Sequence, residues 1–292
     1  MANRWGRRLG IALGTVVGLI LLLAGATWVL SSRAIARRYA VTPEAVTVPN
    51  DSASIARGRH LASTIGKCTD CHGDNLAGRQ LAMGPVGTFV PLNLTSGKGG
   101  VAPLSDDDWV RAIRHGVAPD GRSLLFMPSM LYQGFSAADL GAVIAYVKSV
   151  PPVDNELPRS VVGPIGRILI AKSPHRLIAA SVVDHAAPLS EAIPAGPSVE
   201  YGRYLTVVGG CVYCHGDDLK GGIKEGPPGT PVSIDLTATG PLEHWTEEDF
   251  RKALRVGLRP DGSAIDPFMP WRFTRDMTDE EITAVWAYLR TK

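Results

Sequence analysis

Cysteine is scarce, with four among 292 residues, too few for the disulfide framework that holds small secreted domains together. Charge of one sign is lacking too. Thirty Lys and Arg stand against 28 Asp and Glu, a net charge of +2, so no strong field draws the chain to nucleic acid or acidic partners. No segment shows the strict apolar–polar alternation of a half-buried strand. What is present is an ordinary globular mixture, 45% hydrophobic and 20% charged. The length suits about two domains, each large enough for its own core. Glycine (32) and proline (22) are plentiful, which predicts long irregular loops.

Charge is also missing from residues 9–30, behind a basic segment (residues 1–8) carrying Arg4, Arg7 and Arg8. Roughly 20 apolar residues cross a bilayer as a helix, and no polar stripe marks this run as a core helix. The reading is a transmembrane anchor. The competitor is a cleaved signal peptide, because Ala24-Gly25-Ala26 matches the small-x-small cleavage pattern. Against cleavage, Thr27-Trp28-Val29-Leu30 carries the apolar run past that site. Arg33, Arg37 and Arg38 balance the arginines before the span, so positive charge leaves the orientation open. No cysteine lies nearby for a lipid anchor. Residues 31–52, with Pro43 and Pro49, read as a spacer that is extended from residue 40 onward.

Self-comparison reveals a duplication. Cys68-Thr69-Asp70-Cys71-His72-Gly73-Asp74 recurs as Cys211-Val212-Tyr213-Cys214-His215-Gly216-Asp217. Ahead of it, Gly58-Arg59-His60-Leu61 answers to Gly202-Arg203-Tyr204-Leu205. Behind it, Leu92-Asn93-Leu94-Thr95 answers to Ile234-Asp235-Leu236-Thr237, and Pro119-Asp120-Gly121 to Pro260-Asp261-Gly262. Phe126-Met127-Pro128 then recurs as Phe268-Met269-Pro270, and both copies close on a run containing Ala-Tyr. Landmarks in the same order define two domains, residues 53–150 and 198–292.

Helix signals fall in matching places. Ser105 with Asp108, Thr246 with Asp249 and Thr278 with Glu281 form capping-box patterns, and Ser136 with Asp139 precedes the closing run of the first copy. Gly116 and Gly257 sit at the expected C-terminal stops. Each copy is therefore a small, mainly helical domain with long loops. The connector, residues 151–197, is rich in proline and too long for an ordinary loop. Its run from Ile165 to Leu177 is too apolar to float free, and reads as a segment packed across both domains with one short helix. A partner-docking or membrane-surface role is the alternative.

All four cysteines lie in two Cys-x-x-Cys-His motifs, the signature of c-type haem attachment. Cys68 and Cys71, and likewise Cys211 and Cys214, can each bond the vinyl groups of one haem, leaving His72 and His215 under the iron. A zinc ribbon needs its cysteine pairs some 15–20 residues apart, whereas these stand in different halves of the chain. A redox dithiol would sit in a βαβ pattern, which is absent.

On these motifs each copy resembles the class I cytochrome c domain, and the chain resembles membrane-anchored dihaem c-type cytochromes. The resemblance spans roughly residues 53–150 and 198–291. It implies that Met127 and Met269 are the second axial ligands, opposite His72 and His215. Of six methionines these are the only two at matched positions; Met83, Met130 and Met277 suit core filling better, though Met130, three residues on, competes with Met127 for the ligand role. The resemblance also implies a close crossing of first and last helices, with Gly58 and Gly202 against Tyr146 and Tyr288. It further implies a proline carbonyl behind each ligating histidine, for which Pro85 and Pro227 are candidates. His60, His115, His175, His185 and His244 have no histidine counterpart in the other copy and read as solvated or capping residues.

His/Met ligation fills the iron's coordination sphere and favours outer-sphere electron transfer over oxygen or peroxide chemistry. The expected cofactors are two covalently bound haem c, with no catalytic residue. The expected function is a relay of single electrons between a membrane or periplasmic donor and an acceptor cytochrome or oxidase. The expected location is the inner membrane by one N-terminal anchor, both haem domains lying in the periplasm; signal cleavage would leave a soluble periplasmic protein. The partners are then redox proteins, such as a dehydrogenase, a quinol-oxidising complex, a soluble cytochrome or a terminal oxidase. An alternative is the cytochrome subunit of a periplasmic dehydrogenase, whose relatives typically carry three such motifs. A dihaem peroxidase is disfavoured by the matched Met-Pro pairs, and a cysteine-ligated sulfur-oxidising enzyme by the lack of a spare cysteine.

Overall fold

Short polar side chains that accept a main-chain N–H start half of the α-helices, those that begin at Ser52, Asp106, Ala137, Val199, Glu247 and Asp279. The computed structural model describes residues 2–101, 104–224, 226 and 229–292. After the long helix α1 (Ala2–Ala36), the first repeat holds α2 (Ser52–His60), α3 (Cys68–His72), α4 (Asp106–His115), α5 (Ser129–Tyr132) and α6 (Ala137–Ser149). The connector carries α7 (Pro164–Lys172). The second repeat holds α8 (Val199–Val208), α9 (Cys211–His215), α10 (Glu247–Val256), α11 (Trp271–Thr274) and α12 (Asp279–Leu289). Ser105 with Asp108, Thr246 with Asp249 and Thr278 with Glu281 all form reciprocal capping boxes. Gly116 and Gly257 end α4 and α10 in the left-handed region, where a side chain would clash with its own backbone.

The strands missing from the sequence pattern exist only as stubs. β1 (Leu81–Ala82), β2 (Gly87–Phe89) and β3 (Val161–Val162) pair antiparallel in the order β1-β2-β3. Two or three residues are too few to express a period of two.

In each repeat the first helix crosses the last at a glycine. A Cβ on Gly58 would stand 1.9 Å from the Ala142 carbonyl oxygen and 3.0 Å from Tyr146 Cβ. One on Gly202 would stand 1.9 Å from the Ala284 oxygen and 2.9 Å from Tyr288 Cβ. Leu140, Val143, Ile144 and Val147 of α6, and Ile282, Val285 and Leu289 of α12, fill one continuous core at helical spacing.

The two repeats meet reciprocally. His60 Nε2 lies 2.8 Å from Glu281 Oε2, and Tyr204 donates to Asp139 Oδ2 at 2.6 Å. His60 and Tyr204 are matched positions of the repeats, and so are Asp139 and Glu281, each third in its helix. In the same way α5 touches α8, while α11 touches the turn Leu61–Ile65 that continues α2. A surface patch meeting its own counterpart is the geometry of a two-fold dimer, here written into one chain.

The spacer and the connector are both strapped to the first repeat. Val46 and Val48 pack on its core, and Glu44 pairs with Arg114 and His115. Ile170, Leu177 and Ile178 of the connector join Phe89, with Ala34 and Ile35 of α1 packed against the same cluster. Leu189 and Ile193 reach the main core. The apolar run of the connector thus forms one short helix, as its composition implies, and docks chiefly where α1 meets the first repeat.

Candidate haem sites

Both Cys-x-x-Cys-His segments are single helical turns, α3 and α9, entered through a residue in the left-handed region. That residue is Lys67 (φ 53) before α3 and Gly210 (φ 75) before α9. Glycine adopts this conformation freely; Lys67 is held there by its ammonium, which donates to the carbonyls of Ile65 and, from the second repeat, Gly209. The motif does not include this position, so the sequence pattern passed over Lys67.

No disulfide joins the four cysteines. Burial pushes the Cys68 thiol up to about 12. His72 Nδ1–H donates to the Leu92 carbonyl at 2.9 Å, and His215 Nδ1–H to the Ile234 carbonyl at 2.7 Å. Burial lowers the pKa of both imidazoles, only partly opposed by those carbonyls. Each histidine is therefore neutral, with its tautomer set and its Nε2 lone pair available, the state an iron ligand requires.

These carbonyls correct one expectation. Pro85 does not serve His72, because it sits in the short turn Gly84–Val86 before β2, and the chain reaches the histidine only at Leu92. Pro227 lies outside the described residues, and Ile234 holds His215. The signal for the true partners was the repeat itself, since Leu92 and Ile234 open matched segments.

A cavity of about 400 Å³ in the second repeat is lined by Cys211, Cys214, His215 and Met269, a volume in the range of small-molecule and cofactor sites. Its apolar wall includes Ile223, Trp245, Leu254 and Val285. The far side is built by the first repeat, through Lys67, Asp70, Cys71 and Tyr132. In the first repeat, Cys68 and Met127 pack against one core cluster. The donor set of thiols, neutral imidazole and thioether on an apolar wall fits haem c.

In the sequence the other histidines read as solvated or capping residues, and His115 is neither. It is fully buried, bonded to Glu44 and to His185. These partners come from the spacer and the connector, too far along the chain for any local pattern to connect them.

Comparison with known proteins agrees with this geometry. Residues 53–147 match the family model described as cytochrome c oxidase, cbb3-type, subunit III, and residues 199–292 match that described as cytochrome c. The chain is 28% identical over 291 residues to the cytochrome c subunit of alcohol dehydrogenase (quinone) from Gluconacetobacter polyoxogenes, covering 86% of this chain and 58% of the relative. It is 28% identical over 273 residues to the gluconate 2-dehydrogenase cytochrome c subunit of Pantoea cypripedii, covering 82% and 60%. Over 104 residues it is 36% identical to the fructose dehydrogenase cytochrome subunit of Gluconobacter japonicus, covering 33% and 21%. The chain thus spans less than two thirds of the length of these relatives. Two cytochrome c domains in tandem, each with its own Cys-x-x-Cys-His turn, make this chain a dihaem c-type cytochrome, an electron carrier with two covalently bound haem c.

Proposed function

We propose that the chain is the electron-relaying cytochrome subunit of a dehydrogenase complex, held at the inner membrane by α1 with both repeats in the periplasm. The observation that carries the reading is the shared wall: Asp70 and Cys71 of the first motif line the cavity that holds Cys211, Cys214 and His215 of the second. Haem c, when bound, supplies a one-electron ferric–ferrous couple at each site.

The residues of this chain do the rest. Cys68 and Cys71 would hold one haem and Cys211 and Cys214 the other, as thioethers. His72 and His215 would each hold one iron through an imidazole nitrogen, and Met127 and Met269 through a thioether sulfur. Leu92 and Ile234 fix the histidine rings, so little rearrangement accompanies a change of charge. The reciprocal interface through His60, Glu281, Asp139 and Tyr204 fixes one site relative to the other.

Arg167 stacks on Trp28 at 3.5 Å and donates to Ser31 and Ser32 at 3.1 Å each, which seats the end of α1 on the connector and suits an anchor fixed to the first repeat. A membrane-held subunit meets its partners at raised local concentration.

The test is purification from membranes of a cell competent in cytochrome maturation. The reading expects a dehydrogenase to co-purify, haem pigment to survive denaturation, and a redox titration to resolve two one-electron steps. A single redox-active haem, or a carrier that leaves the membrane in salt alone, would contradict it.

A further inference from the structure

Helix α7 turns two of its apolar residues outward. Gly166 and Ile170 are buried against the protein, whereas Ile165 and Ile168 are each 42% exposed, and nearby Val161 is 64% exposed. Ile165, Ile168 and Lys172 share one helical face by their spacing. A solvated helix would carry polar residues there. The placement of α7 along α1 explains the inversion. The uncharged run of α1 ends at Leu30, and α7 is lashed just beyond it by the stacking of Arg167 on Trp28 and its bonds to Ser31 and Ser32. Ser31 is fully buried by this contact. Tryptophan marks the boundary between hydrocarbon and headgroups, so α7 lies at that level. Arg33, Arg37 and Arg38 are exposed beside it, suited to anionic headgroups.

We propose that the outward face of α7 is a second membrane contact: Ile165 and Ile168 enter the acyl–headgroup boundary of the leaflet that α1 leaves, while Lys172 reaches back to the headgroups. The proposal rests on α1 spanning the membrane. Lipid suits this face better than a protein. A nine-residue helix is about 14 Å long, too short to present the ~800 Å² per partner of a stable protein interface, whereas a short amphipathic helix beside an anchor needs only to sit in the interface. Basic stems bury their methylenes in the same layer while the charge stays wet. The first repeat is thereby pressed on the bilayer, with the Phe126–Met127 loop close behind, since Phe126 packs on the same cluster as Ala34 and Ile35.

The test places one spin label at a time in the full-length holoprotein, reconstituted into phosphatidylethanolamine–phosphatidylglycerol vesicles. Labels go on Ile168→Cys, with Val161→Cys as a second reporter, Leu22→Cys in α1, and Asp261→Cys in an exposed loop of the second repeat. Collisions with oxygen report lipid, and collisions with a water-soluble nickel chelate report solvent. The expected ratio of oxygen to nickel accessibility at 168 is several-fold above that at 261 and approaches that at 22. A lipid signal at 22 with a solvent signal at both 168 and 161 overturns this inference and leaves the anchor standing. A solvent signal at 22 overturns the anchor, and this inference with it. Shielding at 168 that requires a dehydrogenase subunit to be added overturns the lipid assignment in favour of a protein.

Discussion

His115 and His185 face each other through their Nδ1 atoms, 3.1 Å apart. The opposite nitrogens are already committed. His115 Nε2 lies 3.0 Å from Glu44 Oε2, and His185 Nε2 lies 3.1 Å from the Ala180 carbonyl. Each acceptor calls for a proton on Nε2, so two neutral rings would oppose lone pair to lone pair. The Glu44 carboxylate that accepts from His115 also pairs with the buried Arg114.

A pH dependence follows from this pair. Burial lowers the His115 pKa, against the pull of Glu44, and His185 and Arg114 lower it further. A lowered histidine pKa means that the unfolded chain binds the extra proton more readily. The stabilising contribution is therefore complete above the ordinary histidine value and is lost as pH falls through the lowered one, in a window below about pH 6.5. Amide hydrogen exchange across residues 179–190 is expected to quicken through that window, and His115→Gln to abolish the dependence. A flat profile in the native protein would count against the burial of a neutral His115 as its source.

The reciprocal contact between the repeats sets a second expectation. Burial pushes the Glu281 carboxyl up, but the hydrogen bond and charge of His60, the Thr278 N–H and the charge of Arg57 outweigh it and leave its pKa lowered. Its contribution is present above the ordinary carboxylate range and is lost as pH falls below it. Breaking a buried pair by removing one partner costs about 3–5 kcal/mol. Glu281→Gln keeps a hydrogen-bonding side chain at the start of α12, so the expected loss is smaller, about 2 kcal/mol. Denaturant melts of Glu281→Gln, His60→Gln and the double variant form a cycle. Additive losses would mean that the two residues do not couple the repeats.

The crossing glycines predict steric failure rather than lost bonding. A methyl at Gly58 or Gly202 would overlap a main-chain oxygen at 1.9 Å, and backbone does not yield as a side-chain tip does. Overpacking of this kind costs roughly 1–3 kcal/mol and occasionally more. Gly58→Ala and Gly202→Ala are each expected to lower Tm by roughly 2–12 °C, to similar extents because the two crossings are near copies. A melt unchanged in either variant would show that the helices slide apart freely.

What could be read from residues alone was local or repeated. The capping boxes at Ser105, Thr246 and Thr278 lie within one turn, so spacing sufficed, and duplication located both haem turns and the matched methionines. Pro85 was misjudged as the partner of His72 because the path of a loop depends on tertiary packing, which here delivers Leu92. The Glu44–His115–His185 cluster was illegible, since it draws on spacer, α4 and connector. Lys67 escaped notice because its left-handed backbone is stabilised from the other repeat, through the Gly209 carbonyl.

The two proposed methionine ligands stand on loops held to different degrees. Phe126, before Met127, takes a left-handed backbone (φ 64), donates its N–H to Leu177 of the connector at 2.8 Å and stacks on Phe89 at 5.1 Å. Phe268, before Met269, is 44% exposed, and its N–H bonds to Asp266, two residues away. The connector bond and the aromatic stack are worth about 1 kcal/mol each, and together they separate the loops by roughly tenfold or more in opening. Imidazole added to the ferric holoprotein is therefore expected to bind in two phases, the faster one at the second site. Met269→Ala should remove that gated phase and lower one midpoint potential, leaving both haems attached. Met127→Ala should lower the other potential and leave the fast phase intact. Stopped-flow spectra with parallel redox titrations read both quantities, and equal rates at the two sites would refute the difference in clamping. An unchanged titration in either variant would remove that methionine from the ligand set.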